Sequence, residues 1–122
     1  MEFDKNVPIY IQIMDEIKRR VIAGDLHPGD KVPSVRELAE ELKVNPNTIV
    51  RAFQELERAG ITETRRGMGT FIAEGEGMSA VALKDQMGRA EAGSFVAKMR
   101  EAGIADDEII RLVKAAVEQK AE

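Results

Sequence analysis

The chain has 122 residues, a formal net charge of −4 and no cysteine. That length holds one small domain and a small appendage, with no room for a second large core. The missing cysteine excludes disulfides, thiol catalysis and cysteine-ligated zinc.

From Pro8 to Ala23, Tyr10, Ile13, Met14, Ile17 and Val21 recur at helical spacing and Gly24 follows. The pattern predicts an amphipathic helix whose apolar stripe faces a core. Lys18, Arg19 and Arg20 lie on its other side as a solvated face. His27, the only histidine, precedes Pro28-Gly29 in a loop with no second ligand type nearby, so it reads as structural and not as a metal ligand.

Ser34-Val35-Arg36-Glu37 has the S-x-x-E form of a capping box, in which the Ser34 hydroxyl and the Glu37 carboxylate each satisfy the other residue's backbone N–H. Leu38, Ala39 and Leu42 give the helix behind it a short apolar face. Lys43 and Val44 lead to Asn45, a strong N-cap, with Pro46 at the first helical position, where its lack of an N–H costs nothing. The next helix runs from Pro46 to Ala59 and stops at Gly60. Two short helices joined by so small a turn predict a helix-turn-helix. On the second of them, Ile49, Ala52, Phe53 and Leu56 form the buried stripe. Asn47, Val50, Arg51 and Gln54 form the opposite one, with Thr48 beside them. Amides, an arginine and an exposed valine suit base edges and thymine methyls, although a merely solvated face would look similar in isolation.

Ile61 to Arg65 and Thr70 to Ala73 read as strands around the turn Arg66-Gly67-Met68-Gly69. A hairpin directly behind a helix-turn-helix is the wing of a winged helix. Gly67 and Gly69 would let the backbone approach a phosphate or a minor groove, with Arg65 and Arg66 supplying charge.

Glu74-Gly75-Glu76-Gly77 has linker composition. The division is therefore 1–73, a winged helix-turn-helix; 74–78, a linker; and 79–122, a helical tail. One tail helix runs from Ser79 to Ala102 with Leu83, Met87, Ala90, Phe95, Val96 and Met99 as apolar positions. After Gly103, Asp106 caps a second, with Ile109, Leu112, Val113, Ala116 and Val117 on one face and Ile110 beside it. The acids Asp106-Asp107-Glu108 complement a helix dipole and need no metal. Two such helices cannot be stable alone, so Leu83, Met87, Phe95, Met99, Ile109, Leu112, Val113 and Val117 are expected to meet a second copy in a homodimer. The tail's volume leaves little space for an effector pocket unless the dimer makes one.

The chain resembles the GntR family of bacterial transcription regulators, most closely its YtrA-type branch. The matching residues are Pro8-Ile9-Tyr10, Gly24 through Ser34, Val35-Arg36-Glu37-Leu38-Ala39, Val44-Asn45-Pro46-Asn47-Thr48, Ala52-Phe53-Gln54-Glu55-Leu56-Glu57, Gly60-Ile61 and Gly67-Met68-Gly69-Thr70-Phe71. The resemblance implies a mainly helical winged helix-turn-helix that represses transcription as a dimer on operator DNA, with a short helical dimerisation tail. It places DNA contacts at Ser34, Arg36, Asn45, Asn47, Thr48, Arg51 and Gly67, to which the residues themselves add Val50, Arg65 and Arg66. Much of the wider family carries arginine at the position of Val50. Here it stands one place on, at Arg51, which turns it by about 100° around the helix.

Charge argues the other way. Residues 1–73 hold 4 Lys and 7 Arg against 12 Asp and Glu, so attraction to DNA must come from clustering of Lys31, Arg36, Arg51, Arg65 and Arg66. Glu40, Glu41, Glu55 and Glu57 are expected to lie away from it. A winged-helix module that binds protein and not DNA is the alternative. No nucleophile–base pair, metal cluster or phosphate loop suggests an enzyme, and no cofactor is expected. The start of the chain lacks an early apolar run and no stretch has the length of a membrane span, so a cytoplasmic location is expected. The sequence does not indicate a small-molecule effector.

Overall fold

The computed structural model describes residues 1–75 and 80–120. The elements follow as α1 (Ile9–Ile22), α2 (Val35–Leu42), α3 (Pro46–Arg58), β1 (Thr62–Arg65), β2 (Gly69–Ile72), α4 (Ala80–Glu101) and α5 (Asp106–Lys120). This is the expected class, mainly helical with one hairpin. Residues 76–78 of the expected linker and Ser79 lie outside the described residues. The chain forms two compact units, Met1–Lys84 and Asp85–Glu122.

In the first unit, α3 packs on both α1 and α2, and β1 follows it closely. Ile13, Ile17, Leu38, Ile49 and Leu56 are fully buried, so the three helical stripes meet as their spacing requires. The capping box forms: Ser34 Oγ accepts from the Glu37 N–H and Glu37 Oε1 accepts from the Ser34 N–H, each at 3.1 Å. The bonds from the Ser34 N–H and then from its hydroxyl hold the Glu37 carboxyl below the ordinary carboxylate range. The turn is made by Lys43, at φ 57°, the one non-glycine residue with positive φ among the described residues. Its N–H bonds back to the Ala39 carbonyl and ends α2. A left-handed lysine costs roughly 1 kcal/mol, and the packing of α2 on α3 holds it there.

Asn45 caps α3 through Oδ1, which accepts from the Asn47 N–H at 2.8 Å. At the far end Gly60 sits at φ 78°. The bonds Gly60 N–H to Glu57 C=O and Ile61 N–H to Leu56 C=O complete a Schellman motif that turns the chain into β1.

Strands β1 and β2 pair antiparallel with Thr62 opposite Ile72 and Arg65 opposite Gly69. Gly69 therefore begins β2, and the turn is shorter than the sequence suggested. Segment 29–32 adds a third rung: Gly29 N–H to Ile72 C=O, Ile72 N–H to Asp30 C=O and Val32 N–H to Thr70 C=O, all at 2.8 Å. Strand β2 is thus paired on both sides. A Cβ on Gly69 would stand 2.8 Å from Lys31 Cε. The Lys31 side chain lies over the bare backbone at Gly69, with its ammonium nitrogen 3.5 Å from that Cβ position.

One expectation is corrected at Leu83. Expected in a subunit seam, it is 1% exposed and belongs to the core of the first unit. That unit continues through the first residues of α4, whose local periodicity gave no sign of which partner Leu83 meets.

Two polar ties fasten the helices and hairpin. Arg20 bonds to Glu16 at 3.0 Å and also to Glu41, linking α1 to the end of α2. Burial opposes its charge, but the bonds to the two carboxylates outweigh this and raise its pKa. Glu57 Oε1, on α3, accepts from the Thr64 N–H of β1 at 2.9 Å.

In the second unit, α4 ends at Gly103 with the same pair of bonds seen at Gly60. Helix α5 begins at Asp106, whose carboxylate takes two bonds from Arg100, at 2.9 and 3.0 Å. Asp106 was expected to cap a backbone N–H. It bridges across the turn instead, because the guanidinium offers a paired, charge-assisted geometry. Arg100 in turn holds the Asp106 carboxyl below its ordinary range. Ile109 is buried within the single chain, so its burial needs no partner, whereas Phe95, Leu112, Val113 and Val117 are exposed. Met87 and Met99 are half-buried.

Candidate nucleic-acid interface

The helix phase assigned to α3 is the one observed. Ile49, Ala52 and Leu56 are buried and Phe53 is half-buried, while Asn47, Val50, Arg51 and Gln54 are exposed. Val50, at 38% exposed, has no core to fill. Thr48 is half-buried and, with Asn45, lines an open cleft of about 630 Å³ that also touches Met1, Phe3, Ile9 and Val44. Ser34 and Asn45 are both exposed, but their side-chain oxygens are engaged as helix caps. Their first task is to fix the N-termini of α2 and α3.

The expected cations stand in different electrostatic states. Arg36, on α2, is exposed and lies 3.6 Å from Glu40. Arg65 bonds to Glu63 at 2.8 Å, and its guanidinium lies 4.1 Å from the centre of the Phe71 ring. Arg51 carries no carboxylate partner among the described residues, and its guanidinium lies 4.0 Å from the centre of the Tyr10 ring. Arg66 is exposed at the hairpin turn and likewise free of an ion pair among the described residues. Gly67 beside it adopts φ 76° with open space where a side chain would stand. The Met68 N–H bonds to the Arg65 C=O at 2.9 Å and closes the turn.

The acids are accounted for as well. Glu40 pairs with Arg36, Glu41 with Arg20, and Glu55 with Arg58, while Glu57 serves the hairpin. The sequence named these four only as groups to be kept from DNA. The pairs of Glu40 and Glu55 lie within one helical turn of their own helices, whereas the tie of Glu41 to Arg20 and the ring beneath Arg51 join segments far apart in the chain. His27 sits in its loop with its N–H donating to Asp30 Oδ2 at 2.8 Å. Among the described residues no group of three or more His, Asp or Glu could hold a metal ion, and no helix is long and apolar enough to cross a membrane.

The arrangement is thus a short helix with a polar, partly aliphatic outer stripe, beside a hairpin with two arginines and an open glycine at its tip. Comparison with known proteins identifies the family. The sequence pattern of the bacterial regulatory proteins of the gntR family matches residues 9–72. The HTH-type transcriptional regulator YhcF of Bacillus subtilis is 48% identical over 117 residues, 96% of each chain. The HTH-type transcriptional repressor YtrA of the same organism is 39% identical over 109 residues, 89% of this chain and 84% of that one. Among solved structures, a GntR family transcriptional regulator from Listeria monocytogenes superposes with a TM-score of 0.78 at 39% identity, covering 93% of this chain and 98% of its own. The DNA-binding domain of AraR in complex with operator ORR3 matches with a TM-score of 0.53 at 33% identity, over 60% of this chain and 86% of that one. A winged helix-turn-helix that shares this much sequence with regulators of one kind, over nearly its whole length, belongs to the GntR family, in the company of YtrA.

Proposed function

We propose that the chain is a dimeric transcriptional repressor that binds an inverted-repeat operator in the bacterial cytoplasm. The single observation that carries the reading is the outer stripe of α3, where Asn47, Val50, Arg51 and Gln54 stand exposed on a helix whose inner residues Ile49, Ala52 and Leu56 are buried. Such a stripe at a helix N-terminus is the part of a helix-turn-helix that reaches base edges. The operator complex of the AraR domain supports carrying that role to α3.

In this reading residues 1–73 form the DNA-binding part. Ser34, Arg36, Asn45, Asn47, Thr48, Val50, Arg51, Arg65, Arg66 and Gly67 face the duplex, α3 in the major groove and the hairpin against the adjoining backbone. Residues 79–122 pair two copies. Phe95, Leu112, Val113 and Val117 supply the exposed apolar surface for that seam, with Met87 and Met99 at its margin. Pairing matters because the DNA-binding part is nearly neutral, and two linked half-site contacts gain by effective concentration what one lacks in charge.

A gel-shift with the DNA upstream of the chain's own gene, at two salt concentrations, tests the reading. A retarded band that weakens with salt, and that a scrambled duplex does not displace, is the expected result. No band at either salt, with the chain folded, would assign the winged helix to protein recognition instead.

A further inference from the structure

We infer that Tyr10, on the first turn of α1, is a positioning residue for recognition: its ring holds Arg51 as a preorganised base-reading group. The inference rests on α3 being the DNA-reading helix. The spacing of α1 marks Tyr10 only as one member of a core stripe. In the fold it is half-buried against the core of the first unit, so the ring is fixed, and the face it offers is occupied by the Arg51 guanidinium at 4.0 Å. That separation is well within the range of a cation–π contact.

Among the described residues Arg51 is also free of the carboxylates that occupy its neighbours. Glu55, one helical turn further on, is bound to Arg58 at 2.8 Å. Arg36 and Arg65 each carry a glutamate. Stacking uses the flat face of a guanidinium and leaves its N–H edge open. The edge is what pairs with two acceptors such as O6 and N7 of guanine. A long side chain held in this way before binding loses less rotamer freedom when it docks. Tyr10 therefore contributes to sequence preference without touching a base, and it leaves the charge count on the DNA face unchanged.

The probe is a duplex recovered from random DNA by selection with the intact chain, compared with an unselected duplex. Tyr10→Leu is expected to weaken binding to the selected duplex about three- to fivefold, the size of an exposed cation–π contact. Binding to the unselected duplex and the salt slope should stay as in the wild type, because no phosphate contact is lost. Tyr10→Phe should bind nearly as the wild type does. In an Arg51→Ala background Tyr10→Leu should have no further effect. If Arg51→Ala weakens binding and Tyr10→Leu does not, or if the two losses simply multiply, the positioning role is overturned while the DNA reading stands. If Arg51→Ala has no effect, or selection yields no preferred duplex, the assignment of α3 and Arg51 is what fails, and the role of Tyr10 falls with it. A readout independent of any variant's folding is the Nε–H resonance of Arg51 in the free wild-type chain. A ring-current shift is expected there, and its absence overturns the inference.

Discussion

Leu83→Ala separates two accounts of the start of α4. Leu83 is 1% exposed within the first compact unit. The substitution removes three buried carbons, which costs about 2.5 kcal/mol at roughly 0.8 kcal/mol per methylene. The void left by incomplete collapse raises the expected loss to about 3–4 kcal/mol. For a unit of this size each kcal/mol moves the unfolding midpoint by about 4–8 °C, so the midpoint should fall by at least about 12 °C. Calorimetry of the full chain over a hundredfold range of protein concentration is the assay. The drop should be the same at every concentration, and sedimentation should find the association state of the wild type. A midpoint within about 3 °C of wild type, together with weakened self-association, would refute the reasoning and return Leu83 to a subunit seam. The same logic predicts that a truncation ending at Lys84 is more stable than one ending at Ala73, because the shorter piece loses a core side chain along with the tail.

Val50→Ser should leave the unfolding midpoint within the scatter of surface changes, about 0.5 kcal/mol, and lower affinity for a selected duplex; a collapse of stability would mean that the valine is core. Leu112→Asp, at a position 41% exposed in the single chain, should dissociate the dimer in sedimentation without unfolding the chain, and an unchanged dimer would locate the seam elsewhere. Ser34→Ala should cost about 1 kcal/mol at neutral pH through loss of the helix cap. Because the fold lowers the Glu37 pKa, the carboxylate's contribution is complete above the ordinary carboxylate range and is lost as pH falls through the lowered value. The gap between Ser34→Ala and wild type in urea titrations should therefore narrow at acid pH, and a gap that widens there would contradict the capping box.

Local chemistry made much of this fold legible. Ser34 and Glu37, Asn45 and Pro46, and the glycine after α3 act within a few residues of themselves, so their spacing carries the geometry. The outer stripe of α3 was readable for a related reason, since a helix of fixed period has only one way to bury Ile49, Ala52 and Leu56 together. What escaped is long-range. Segment 29–32 has no alternating pattern, yet it pairs with β2 because the Ile72 N–H and the Thr70 and Ile72 carbonyls would otherwise lack partners on that edge. Lys43 takes the left-handed turn that a glycine would advertise, so its backbone state could not be inferred from its type. Tyr10 and Arg51 meet across the packing of α1 on α3, a contact that neither helix encodes alone.

The arginine–glutamate pairing has a consequence for how such a regulator finds its target. In the first unit Arg19, Arg20, Arg36, Arg58 and Arg65 each hold a glutamate, leaving Arg51 and Arg66 as the arginines without one among the described residues. Residence on random DNA depends on counterion release by unpaired cations, and an arginine already held by a glutamate adds less to it than a free one. Weaker hold on random DNA keeps the competing genome from acting as a sink. Discrimination then depends on the ratio between one site and the background, which base contacts raise and a blanket of positive charge would erode.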